Sequence, residues 1–151
     1  MQAARTIYRY WITLVWLAVV AQICAAAYGA FYTADKLSSQ SGPDESKTVS
    51  ETVFDHGFSV HSALGYLIFL GTLVLLVIAL IARLGKPRIW LVVAVPVAVA
   101  VQIVLAWISE GVHGVGVLHG LNALVIFALT GYLTGQAWRA HRADPAAAPA
   151  T

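Results

Sequence analysis

Four long apolar runs set the terms for this chain of 151 residues. They extend from about Trp11 to Tyr32, Gly57 to Ala82, Ile89 to Ile108 and Gly114 to Trp138. Each reaches the roughly 20 helical residues needed to cross the hydrocarbon core of a bilayer. Inside lipid no water satisfies the backbone, so a spanning run of this kind has to be helical. Hydrophobic residues make up 60% of the chain and charged residues 11%, and the charges sit in short clusters between the runs. A soluble domain of this size has too little core to hide so much apolar surface. The sequence therefore predicts an all-α, polytopic membrane protein, with one four-helix transmembrane bundle over residues 1–142.

The joints between runs carry their own signals. Residues 35–55 form a polar stretch with Gly42 and Pro43 that predicts a loop. Arg83-Leu84-Gly85-Lys86-Pro87-Arg88 separates the second and third spans, with Gly85 and Pro87 stopping one helix and permitting the next. Pro96 predicts a kink in the third span. Residues 143–151, Ala-Asp-Pro-Ala-Ala-Ala-Pro-Ala-Thr, read as a disordered cytoplasmic tail. The first run exceeds the 7–15 residues of a signal-peptide core, so it reads as a retained span. Bulky Ile23 before Cys24 argues against a lipoprotein site, and this lone cysteine reads as an inert packing residue. The five tryptophans mostly flank the spans and read as interfacial anchors.

Charge placement orients the chain. Arg5, Arg9, Arg83, Lys86, Arg88, Arg139 and Arg142 fall at the termini or between the second and third spans. Lys36 and Lys47 fall on the other side, among Asp35, Asp44, Glu45, Glu51, Asp55 and Glu110. The positive-inside rule places both termini in the cytoplasm and the 35–55 loop outside, as in a multi-pass cytoplasmic (inner) membrane protein. The formal net charge is +2, with no basic stripe of the kind that grips nucleic acid.

The two halves of the chain look alike. Gln22-Ile23-Cys24-Ala25-Ala26 in the first span matches Gln102-Ile103-Val104-Leu105-Ala106 in the third. Each precedes a helix in which a histidine begins a nine-residue stretch ending in Ile-Phe, His61 to Phe69 and His119 to Phe127. A parallel two-fold repeat about an axis along the membrane normal follows. It would set His61 and His119 face to face at one depth.

An ionisable side chain inside a membrane points by default to a functional site. Two neutral imidazoles offered from facing helices suit the two axial positions of a haem iron. Small residues would leave room for the flat macrocycle: Gly57, Ser62 and Gly65 on the second helix, and Gly116, Gly120 and Ala123 on the fourth. The same residues would also serve close helix packing, Gly116-x-x-x-Gly120 above all. A ligating histidine gives its other ring N–H to an acceptor, for which Asn122, Ser62 or a nearby carbonyl would serve. Gln22 and Gln102 read as interhelical hydrogen-bonding groups, with contact to a quinone or cofactor edge as the alternative. His56 lies about 140° round the helix from His61, and His113 about 120° from His119, so neither shares a face with the inner pair. They read as surface or loop residues, the sharper alternatives being a bridge to a haem propionate or capture of a metal. His141 reads as a solvated interface residue. A bare zinc or copper site would want three or four ligands, and Glu110-Gly111-Val112-His113 lacks the second histidine of a zinc hydrolase.

Four helices, a loop between the first two, and histidines early in the second and fourth resemble one half-bundle of haem A synthase. The resemblance implies haem held between four helices near the outer face, with His61 and His119 as ligands. That family pairs a glutamate with a histidine three residues later near its second helix. Here Glu110 and His113 stand before the fourth helix instead. The text around the spans also resembles small uncharacterised four-helix membrane proteins of actinobacteria.

Together these features predict a small b-type cytochrome with haem b between His61 and His119, serving electron transfer or haem handling. Its partners would be the lipid bilayer and a quinol or redox subunit, and a homo-oligomer stays open. No catalytic motif is visible. The alternatives are a cofactor-free accessory or assembly subunit of a membrane complex, and a small proton-coupled transporter.

Overall fold

The computed structural model describes residues 2–143. Its elements are α1 (Gln2–Ser38), a short 3-10 turn (Asp44–Ser46), α2 (Glu51–Ile81), α3 (Lys86–Gly111) and α4 (Val115–Arg142). All four α-helices are long and apolar enough to cross a membrane, and no strand occurs among the described residues. The chain is a multi-pass, all-helical membrane protein. Its helices outrun the apolar spans, because a helix hydrogen-bonds its own backbone whether or not lipid surrounds it. Residues 35–38 and 51–55, expected in the loop, are helical. All of the expected tail except Ala143 lies outside the described residues.

The chain divides into two compact units, Val20–Leu67 and the remainder. The larger unit packs the first half of α1, the second half of α2, and all of α3 and α4 as a four-helix bundle. Its core joins Tyr8 and Ile12 to Leu75, Ala79 and Ala82, to Val92 and Val95, and to Leu133 and Ala137. Here the repeat appears in packing. The spacing that carries His61 onto His119 also carries Ile68, Thr72, Leu75 and Ala79 onto Ile126, Thr130, Leu133 and Ala137, and all eight are buried. The spacing that carries Gln22 onto Gln102 carries Ile12, Val15 and Val19 onto Val92, Val95 and Val99, also all buried. Thr72 and Thr130 return their hydroxyls to their own helices, donating to Phe69 O and Ile126 O at 2.7 Å each. That satisfies the only polar atom each brings into the core.

The outward side chains of this unit are as apolar as the inward ones, with Trp90 71% and Leu80 56% exposed. Lipid makes that tolerable. Three tryptophans also make contacts between helices. Trp11 Nε1 donates to Gly71 O at 2.9 Å, Trp138 Nε1 donates to Thr13 Oγ1 at 3.0 Å, and Trp16 packs on the Phe127 ring. Each ties one helix to another.

Between α2 and α3 the residue that ends the helix is Arg83, not Gly85. Arg83 takes the left-handed conformation (φ 50°), and Leu84 N donates to Ala79 O, closing a Schellman-type cap. Gly85 instead forms the N-cap of α3, whose first turn holds Pro87. α3 then runs unbroken through the buried Pro96.

The smaller unit pairs the second half of α1 with the first half of α2 across a glycine crossing. A Cβ added at Gly29 would stand 2.8 Å from Gly57 O, and one at Gly57 would stand 3.2 Å from Gly29 O. The loop is closed by the Gln40 side chain, which donates to Thr48 O at 2.7 Å and accepts from Thr48 N at 3.2 Å. Phe31 is 78% exposed, and Cys24 is exposed rather than packed. Ile23 before it is exposed as well, while Ala25 and Ala26 after it are half-buried.

Candidate functional site: two histidine clasps

Each unit holds one of the two inner histidines in the same way. In the smaller unit Gln22 Nε2 donates to His61 O at 2.8 Å, and His61 Nδ1 lies 3.2 Å from Gln22 O. In the larger unit Gln102 Nε2 donates to His119 O at 2.9 Å, and His119 Nδ1 lies 3.1 Å from Gln102 O. The glutamine side chain of one helix thus binds the histidine backbone of the next, and the histidine side chain binds the glutamine backbone in return. A main-chain carbonyl can only accept, so Nδ1 carries the proton and in the neutral ring Nε2 carries the lone pair. The acceptor for the second ring nitrogen is therefore a carbonyl, one of the three candidates read from the sequence. Both glutamines make the interhelical bond expected of them.

The surroundings of the two clasps differ. Asn122 Nδ2 donates to Gln102 Oε1 at 2.7 Å and to Ala98 O at 2.9 Å, completing the clasp of α3 and α4. The repeat places Leu64 where Asn122 stands. Gln22 Oε1 is accordingly buried with no hydrogen-bond partner among the described residues. Asn122→Leu is expected to lower stability by about 1 kcal/mol, since membrane interhelical bonds are worth roughly 0.6–1.7 kcal/mol and Gln102 Oε1 would be left unsatisfied. Leu64→Asn is expected to stabilise by supplying the missing donor. SDS-titrated unfolding in mixed micelles reads both, and equal stability of Asn122→Leu and wild type would refute the account.

The small residues divide as well. A Cβ at Gly65 would stand 3.1 Å from Gln22 Nε2, so Gly65 makes room for its clasp. Gly57 is taken up by the crossing with α1, where Tyr32 Cδ1 and Thr33 Oγ1 also crowd it. Beside Gly116 and Gly120 nothing lies within 4 Å of an added Cβ, so this pair packs against no helix among the described residues. Ala123 is half-buried on the same helix. His56 is exposed, with its ring 5.3 Å from that of Tyr32. His113 is exposed between α3 and α4, as expected of a loop residue. Among the described residues no three of His, Cys, Asp and Glu gather as metal ligands would.

A family model described as a family of unknown function (DUF6220) matches residues 52–110. This segment runs from the first turn of α2 to the last turn of α3, and includes His61 and Gln102 but neither Gln22 nor His119. No curated protein and no solved structure matches the chain.

Proposed function

We propose that the chain is a small b-type membrane cytochrome in which His61 and His119 would hold the haem. One observation carries the reading: both rings give Nδ1–H to a carbonyl, so Nε2 is the unprotonated nitrogen of each neutral ring. That is the tautomer an axial imidazole requires, and the acceptor behind it holds the ring and raises its basicity. The open space beside Gly116 and Gly120 suits a flat macrocycle better than it suits helix packing. Haem bound by two imidazoles supplies a single-electron couple. The chain's part is to hold the rings through Gln22 and Gln102 and to keep bulk away from one face of α4. The basic residues orient the helices with both termini in the cytoplasm and the histidines toward the outer face of the inner membrane. A quinol or a redox subunit is the fitting electron partner. Haem handling, the role suggested by the resemblance to haem A synthase, would use the same ligands.

The clasps also favour a second reading. Each ties two helices by two hydrogen bonds, which is what a cofactor-free accessory subunit needs from a membrane histidine. Visible spectra of protein expressed with ample haem and purified in detergent separate the two. The cytochrome predicts a Soret band that shifts on reduction and is lost in both His61→Ala and His119→Ala. It also predicts that Gly120→Ala keeps the fold but loses most of the haem. A colourless wild type would overturn the cytochrome in favour of the accessory subunit, and colour that survives both histidine substitutions would refute His61 and His119 as the residues that hold the haem.

A further inference from the structure

Within the larger unit, the start of α1, the α2–α3 turn and the end of α4 surround a cavity of about 550 Å³. Four arginines line it, Arg5, Arg9, Arg83 and Arg88, together with Tyr8 and His141, and none of the lining residues is acidic. Lys47–Asp44, in the other unit, is the ion pair found among the described residues. Four arginines thus line one cavity, and no carboxylate lines it with them.

Two of the polar lining residues are more than nine-tenths buried, Tyr8 at 3% exposure and Arg9 at 8%. Tyr8 Oη and Arg9 Nε are buried, and neither finds a hydrogen-bond partner among the described residues. The guanidinium of Arg9 is held in place by aromatic faces, 4.9 Å from the Trp138 ring centre and 5.1 Å from that of Tyr10. Cation–π contact fixes the charge but satisfies no N–H in the guanidinium plane. An N–H or O–H buried without an acceptor is costly, and an anion that reaches it removes that cost. Arg83 adds a further sign. It occupies the left-handed cap where glycine is the default, a conformation that costs a non-glycine residue about 1 kcal/mol or more. The N-cap of α3, Gly85, also lines the cavity and offers no side-chain cap. The positive end of the α3 dipole therefore lies beside the cavity, although Pro87 has no N–H and the amides of Arg88 and Ile89 donate to Gly85 O.

We infer that this cavity is a binding site for a phosphate-bearing anion, with an anionic phospholipid headgroup as the natural source. Guanidinium groups pair with phosphate oxygens in a bidentate fork, and Tyr8 Oη is placed to donate to the same group. The volume falls in the range of sites for molecules of drug size, ample for a phosphate with its glycerol. The cavity lies where the helices end, the level at which lipid phosphates sit, and basic pockets between transmembrane helices bind such headgroups. The inference is independent of the histidine clasps.

The test uses the full-length protein in neutral detergent, offered phosphatidylglycerol, phosphatidylcholine or inorganic phosphate. Lipid retention is read by native mass spectrometry, and phosphate by the shift in thermal midpoint. Wild type is expected to retain phosphatidylglycerol about tenfold over phosphatidylcholine, the ratio that 1.4 kcal/mol produces. Arg9→Gln and Arg88→Gln should each bring the ratio near unity. Arg142→Gln removes the same charge from an exposed site outside the cavity and should leave it unchanged. If burial makes Arg9→Gln fold poorly, Arg88→Gln and Tyr8→Phe carry the test. Inorganic phosphate that stabilises wild type and displaces phosphatidylglycerol would assign the site to a soluble phosphate compound. Phosphate without effect, beside selective lipid retention, would assign it to the headgroup. Equal retention of both lipids with no response to phosphate would overturn the inference, as would a preference that survives both Arg9→Gln and Arg88→Gln.

Discussion

Leu75→Ala and Leu133→Ala are each expected to cost about 1–3 kcal/mol, with closely similar values for the two. Both leucines are fully buried, and the repeat makes each the counterpart of the other. In a bilayer the unfolded reference leaves a leucine in lipid, so the loss of transfer free energy that penalises such truncations in water is largely absent. What remains is the cavity: packing contacts forfeited by the facing residues of the core, among them Ile12, Val92 and Val95. Leu80, 56% exposed on the same helix as Leu75, is the control, and Leu80→Ala should fall within about 0.5 kcal/mol of wild type. Unfolding by SDS in mixed micelles measures all three. If either core variant matched Leu80→Ala, the packing repeat would not be the source of this unit's stability.

Gly29→Ala should be as disruptive as a leucine truncation, although it adds one methyl group and removes nothing. The new Cβ would stand 2.8 Å from Gly57 O and 2.9 Å from Phe58 Cδ1. The carbonyl is backbone and cannot turn aside, so α1 and α2 must separate within the smaller unit. Overpacking of this kind costs about 1–3 kcal/mol, and Gly29→Val should cost more. Gly116→Ala makes the identical chemical change where nothing lies within 4 Å. There the better helix propensity of alanine should leave stability unchanged or raised by up to about 1 kcal/mol. Hydrogen exchange locates the damage. Gly29→Ala should lose amide protection within Val20–Leu67, and retained protection there would refute the crossing. Opposite signs for one substitution at two glycines are a stringent test, because neither propensity nor composition distinguishes the sites.

Much of the candidate site was legible in the sequence. His61 and His119 stood out because imidazole is rare in apolar text and recurs in the same local setting. Gln22 and Gln102 stood out for the same reason, and both make the interhelical bonds that a polar group in lipid needs. Other features were hidden. Asn122 was read as an acceptor for histidine, yet its amide donates to Gln102 and Ala98. Gly65 and Gly120 read alike, but a neighbouring carboxamide fills the space beside the first and nothing lies beside the second. Arg5, Arg9, Arg83 and Arg88 were read only as markers of orientation. Nothing in their spacing announces that two chain segments gather them around one cavity.

The sequence alone determined the number of helices, their membrane-spanning length, the polar joints and the existence of a repeat. These follow from local properties, since a run of about 20 apolar residues can satisfy its backbone in lipid only as a helix. Tertiary structure alone decided which face of each helix is core. In a bilayer the lipid-facing and core-facing residues are equally apolar, so the periodicity that betrays a buried face in water is erased. Ile12, Leu75, Val92 and Leu133 look no different in sequence from Leu14, Leu80, Val101 and Leu124, and only packing tells them apart.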